Sequence, residues 1–209
     1  DEGLEQMRSA YRQHRQYIEA GRESPNAIGD WFLRLGGLFP PDQPADVEAF
    51  VMDLTGGEPD PREAHALALY WRNIGPAGVS RAIELLRQAV ETAPPEDELV
   101  LASLYTELGL TLLMAEEIEA AVEAYERVVQ LQPDNASVLN NLAYALSEML
   151  GQPQRALPHA QRAADLASSN GPILDTLGWV RYQLGNYDEA ETALRRSVQL
   201  EPTATTYYH

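Results

Sequence analysis

Apolar positions along this chain recur at spacings of three and four residues in nearly every segment, and no alternating strand pattern interrupts them. Leu174, Leu177, Trp179 and Val180 fall on one stripe of a helix. Ala190, Ala193, Leu194, Val198 and Leu200 fall on one face of a second. Between them stands Gly185-Asn186, the residue types that relieve a left-handed helix end. Asp188 and Glu189 follow, carboxylates at a helix start where the dipole favours them. The pattern predicts two helices joined by a tight turn.

That unit recurs. Pro25, Pro59, Pro94, Pro133 and Pro202 are separated by 34, 35, 39 and 69 residues, and Ser168 stands where the missing mark would fall. Twelve residues before four of these marks lies an alanine: Ala82, Ala121, Ala156 and Ala190. A period near 34 means units that bury their apolar faces against one another. The units predicted are residues 61–95, 96–135, 136–170 and 171–204. Residues 26–60 make a degenerate unit, in which Trp31, Leu35, Leu38, Val47, Val51 and Pro59 keep the offsets. Residues 1–25 make a partial unit or leading helix. In 61–95 the expected turn is Gly75-Pro76-Ala77-Gly78. In 136–170 one extra residue falls near Met149-Leu150, expected in the turn before Gly151-Gln152-Pro153. Residues 205–209 read as the start of a further, truncated helix. The expectation at the ends is a fragment of a longer array, with end-to-end contacts that bury the helix of residues 187–200.

Leu174, Leu177, Gly178, Tyr187, Ala190, Leu194 and Pro202, and in parallel Tyr105, Leu108, Gly109, Ala121, Tyr125 and Pro133, make a set that resembles the tetratricopeptide repeat. The resemblance implies an all-α, right-handed superhelical solenoid of antiparallel helix pairs with a concave groove. It also implies that the first helix of each unit lines the groove, and that the residue after its small residue points inward. Here those residues are Trp71, Leu110, Tyr144 and Trp179, with Asn140, Asn141, Glu148, Asp175 and Tyr182 near them. Aromatic rings bury much area at low entropy cost, and Asn both donates to and accepts from a peptide group. These aromatics either meet a ligand or pack against neighbouring helices. The family's carboxylate clamp needs cations on the first helices; none of these residues is Lys, and Arg181 lies on a flank. The runs around Asn140-Asn141 and Asp175-Thr176 are similar to tetratricopeptide arrays of bacterial assembly and envelope proteins.

Charge narrows the partner. The 209 residues carry 32 Asp and Glu against 15 basic residues, a net −17. Such a surface repels nucleic acid and anionic lipid and favours a neutral or basic partner with an apolar anchor, or else only keeps a repetitive protein in solution. There is no Cys, and His14, His65, His159 and His209 are scattered over different units, so no metal site is expected. No phosphate loop, zinc signature or nucleophile elbow occurs. The carboxylate runs Glu96-Asp97-Glu98 and Glu116-Glu117 with Glu119 sit near helix starts, and no acid–base role is assigned to them. No run reaches the roughly 18 apolar residues of a membrane span. The expected function is a non-enzymatic, cofactor-free scaffold that binds a peptide or protein segment in its groove, in the cytoplasm or in the periplasm or cell envelope. The alternatives are a substrate-recruiting arm of a larger enzyme, such as a glycosyltransferase, and a structural array that self-associates.

Overall fold

The structure, a computed structural model, describes residues 2–19 and 44–200. The expectations for Trp31, Leu35 and Leu38, and for Tyr207 and Tyr208, lie outside the described residues. Every regular element among the described residues is helical. Two compact units divide the chain, residues 1–115 and 116–209.

The first unit contains α1 (Glu2–Glu19), α2 (Pro44–Thr55), α3 (Pro61–Asn73), α4 (Pro76–Thr92) and α5 (Glu98–Met114). The sequence Asp60-Pro61-Arg62-Glu63 starts α3 for clear reasons. Proline suits the first helical position, and Asp60 and Glu63 cap each other reciprocally. Asp60 accepts from the backbone N–H of Arg62 and Glu63 at 2.9 and 3.0 Å, and Glu63 accepts from that of Asp60 at 2.8 Å. Glu63 is almost fully buried. It also accepts from the Tyr11 hydroxyl at 2.5 Å and from Arg15 at 2.9 Å, which ties α1 to the start of α3.

The expected turn at 75–78 is shorter in the structure. Only Gly75, at φ +105°, has the left-handed backbone, and Pro76 already opens α4. Gly78 lies inside α4, where a Cβ would stand 1.9 Å from the Trp71 carbonyl oxygen. It is the point where α3 and α4 touch backbone to backbone. Ala82, one turn on, is fully buried, and Leu67, Leu85, Leu86 and Leu104 fill the core around it. α5 packs on α4 and reaches α3, where Arg62 pairs with Asp97 at 2.7 Å and Arg72 with Glu107.

The second unit contains α6 (Ile118–Leu131), α7 (Ala136–Tyr144), a π-helical turn (Ala145–Met149), α8 (Pro153–Leu166), α9 (Gly171–Gln183) and α10 (Tyr187–Leu200). Each helix packs on the next, and α7 also touches α9. Asn135 and Asn170 cap α7 and α9 by accepting from Val138 N–H and Ile173 N–H, both at 3.2 Å. The marker alanines Ala121, Ala156 and Ala190 are all buried at helix contacts. Gly178 is the closest of these: a Cβ there would come within 2.6 Å of Leu194 Cγ. Gly185, at φ +81°, ends α9, with its own N–H donating to Tyr182 O and that of Asn186 to Arg181 O, both at 2.9 Å.

The extra residue of segment 136–170 is not in the turn. It is taken up one turn earlier as the π-helical segment, in which Leu150 N–H donates to Ala145 O at 3.1 Å, five residues back. Ala145, Leu146 and Ser147 are buried there.

Candidate binding groove

The second unit carries a strip of polar and aromatic side chains on α7, the π turn and α9. Asp175, Trp179 and Tyr182 follow at four and three residues along α9 and share a face. The Trp179 and Tyr182 rings stack at 5.2 Å with planes 13° apart. Tyr182 meets Tyr187, the first residue of α10, edge to face at 5.5 Å. Asn140 and Tyr144 share a face of α7 at four residues' spacing, with Asn141 beside them. The ends of the two helices are joined by Glu148, which accepts from Gln183 at 2.8 Å.

Exposure separates the roles. Tyr144, at 43 %, and Tyr182, at 48 %, offer ring area to solvent. Trp179 is half-buried and acts as the platform for Tyr182. Asp175 is buried. Asn140 is half-buried, and its Oδ1 is out of contact with solvent and accepts no protein hydrogen bond. Arg181, the nearest cation, is engaged by Gln161 at 2.7 Å and Glu189 at 3.3 Å. The strip therefore has carboxylates and carbonyl-type acceptors but no cation turned toward it among these contacts.

Trp71 and Leu110 belong to the first unit. Trp71 is half-buried in α3 and its Nε1 donates to Glu48 of α2 at 2.8 Å, while Arg81 holds the same carboxylate. Its ring meets Tyr70 edge to face. Leu110 is half-buried on α5. The indole N–H of Trp71 is thus used within its own unit, in contrast to the exposed phenols of Tyr144 and Tyr182.

Buried acids are what sequence reasoning missed. Burial raises the pKa of Glu63 and Glu107, with hydrogen bonds and Arg15 or Arg72 pulling each back. The signal for Glu63 was present in Asp60-x-x-Glu63, the spacing of a capping box. Nothing local marked Glu107. Burial lowers the pKa of His65 and His159. Among the described residues, no group of three or more His, Cys, Asp or Glu is placed to hold a metal ion. None of the described helices is long and apolar enough to cross a membrane.

Stacked antiparallel helix pairs with small residues at the contacts and capped turns near a 34-residue period define a tetratricopeptide-like helical repeat. Family models agree over part of the chain: a tetratricopeptide-repeat model matches residues 134–200, and a second, described as TPR repeat, matches residues 109–149. Among solved structures, a MamA protein superposes with a TM-score of 0.67 at 20 % identity, covering 88 % of this chain and 94 % of that one. MamA from Desulfovibrio magneticus gives 0.67 at 18 % identity, covering 86 % and 94 %. These likenesses concern the fold alone. A small glutamine-rich tetratricopeptide repeat-containing protein of Mycosarcoma maydis is 28 % identical over 110 residues, which are 53 % of this chain and 31 % of that protein. A TPR repeat-containing protein of Pseudomonas aeruginosa is 35 % identical over 75 residues, 36 % of this chain and 13 % of that protein. The matched stretches thus span a third or less of these curated relatives. The architecture is that of an all-α array of stacked antiparallel helix pairs.

Proposed function

We propose that the second unit binds an extended segment of another protein, neutral or basic in charge and carrying one apolar anchor, along Asn140, Asn141, Tyr144, Glu148, Asp175, Trp179 and Tyr182. The observation that carries this reading is the pair of half-exposed phenols, Tyr144 and Tyr182, one of them backed by a stacked indole. Rings held rigid before binding lose little entropy when a ligand arrives. Asn141, half-buried on α7, has a carboxamide that both donates to and accepts from a peptide group, and the Glu148 carboxylate is exposed. An acidic, arginine-paired surface steers basic segments toward it. In this reading the described residues are part of a larger bacterial-type protein, and the groove recruits its partner.

The test is a binding screen of immobilised peptides of graded charge and aromatic content. Basic peptides with an apolar anchor bind the wild type, and Tyr144→Ala with Tyr182→Ala abolishes the signal while the melting temperature holds. Binding of acidic and basic peptides alike, or binding that survives both substitutions, removes the proposal.

A further inference from the structure

A second surface adjoins that strip at Tyr182. Ala190, Leu194 and Val198 form the floor of a groove of about 610 Å³ along α10, with Tyr182 and Tyr187 at one end and Glu191, Arg195 and Gln199 on the rim. The preceding repeat shows what such a face is for. Thirty-four residues earlier on α8, Ala156, Ala160 and Ala164 occupy the equivalent positions. All three are buried, and α9 packs on that helix. Of the three on α10, Ala190 alone is buried, while Leu194 and Val198 keep part of their surface open, and Leu200 beyond them is exposed. The groove has the shape of a helix-accepting face.

The rim states which helix fits. Glu191 and Arg195 are four residues apart on one flank of α10, where Arg195 Nη2 reaches Glu191 at 2.6 Å in a solvated pair. A two-fold axis near Leu194, perpendicular to the helix and lying in the contact plane, lays a second α10 antiparallel on the first. That operation keeps each flank on its own side. It therefore sets Glu191 beside the partner's Arg195, and Arg195 beside the partner's Glu191. The floor is self-complementary about nearly the same axis: Ala190 faces the partner's Val198 across Leu194, one residue along the helix from the centre of the Glu191–Arg195 pairs, a shift of about 1.5 Å that long charged side chains span. Isologous contacts of this kind need one surface that satisfies itself.

We propose that the α10 face is a homodimer interface: two copies of this chain pack α10 against α10 antiparallel, with a four-charge cluster of Glu191 and Arg195 closing the rim. The floor and rim residues Ala190, Leu194, Val198, Glu191 and Arg195 lie outside the peptide-binding strip, which meets the groove at Tyr182.

Charge reversal tests the register. Light scattering on a sizing column should give twice the 23.2 kDa chain mass for the wild type at high concentration. Glu191→Arg places four cations on the rim and should run as a monomer. Arg195→Glu places four anions there and should do the same. Mixing the two single variants should restore the doubled mass, because each supplies the charge that the other lacks. Circular dichroism of each variant confirms an unchanged helix content. A wild type that stays monomeric at every concentration overturns the proposal, since something else then covers the face. So does a doubled mass in either single variant, or a mixture of monomeric variants that fails to associate.

Discussion

The Trp179 and Tyr182 rings lie 5.2 Å apart with planes 13° from parallel, three residues apart on α9. Neighbours at that spacing share a helix face, so the indole becomes a fixed bed for the phenol. The outer ring is then available while the inner one is held. Removing the outer ring, Tyr182→Ala, should weaken peptide binding about tenfold, the scale of a contact worth about 1.4 kcal/mol. The melting temperature should change little, because Tyr182 is half-exposed. Trp179→Ala should cost both binding and stability. Isothermal titration beside thermal melts separates the two variants; equal stability losses in both would place the stack in the core.

Salt dependence reports the part played by charge. Raising ionic strength should weaken binding of a basic peptide, since exposed charges are screened beyond roughly 8 Å at physiological salt. The same peptide with its cations neutralised should bind more weakly and respond little to salt. Titrations at two salt concentrations measure this. A basic peptide whose affinity ignores salt would leave the aromatic and amide contacts as the whole of the recognition.

Two glycines should resist substitution by alanine to different degrees. At Gly178 the new methyl meets the Leu194 side chain at 2.6 Å and the Ala190 carbonyl oxygen at 3.2 Å. Leu194 can move, and alanine favours the helix, so Gly178→Ala should destabilise by about 1–2 kcal/mol. At Gly78 the methyl meets the Trp71 carbonyl at 1.9 Å, a backbone atom with nowhere to go. Gly78→Ala should cost about 3 kcal/mol or more. Urea melts of both variants check the order. Ala190→Trp, at a buried helix contact, belongs with the severe case.

Glu116 holds a left-handed backbone, φ +61°, at the end of α5 where glycine is usual. The side chain is exposed. Glu116→Gly should therefore stabilise by about 1 kcal/mol, the cost of that conformation for an L-residue. A raised urea midpoint with unchanged slope is the expected result. A lowered midpoint would show that the carboxylate does more at the start of α6 than the backbone strain costs.

Glu63 sets a pH dependence with a definite sign. Burial is the largest influence and raises its pKa above the ordinary 4.5, against the hydrogen bonds from Tyr11 and the Asp60 N–H; nearby Asp60 raises it further and Arg15 lowers it. A carboxyl whose folded pKa exceeds its unfolded value contributes stability that is complete below the unfolded value and is lost as pH rises through the folded one. Relative to Glu63→Gln, the wild type should gain stability as pH falls from 7 toward 4.5. Urea midpoints of the two proteins across that range give the difference. A difference that moves the other way would mean that Tyr11 and Arg15 outweigh burial.

Helix periodicity, the 34-residue ladder and the small residues at fixed offsets were all legible in the chain, because each is a local demand. A helix needs an apolar stripe, a turn needs Gly or Asn, and a close contact needs Ala or Gly. Those demands determined the all-α repeat and placed Ala82, Ala121, Ala156 and Ala190 in its core. Tertiary structure decided what depends on partners distant in sequence. The extra residue near Met149 could sit in a loop or a helix, and in the fold it is a π turn whose Ala145, Leu146 and Ser147 are buried. Aromatics at equivalent repeat positions look alike in sequence, yet Glu48 lies within reach of the Trp71 indole while Tyr144 is left half-exposed. Glu63 and Glu107 read as ordinary surface acids until Tyr11, Arg15 and Arg72 arrive from other helices to share their burial. Hydrophobic spacing is written along one helix, but the desolvation of a charge or a ring depends on what the rest of the fold lays against it.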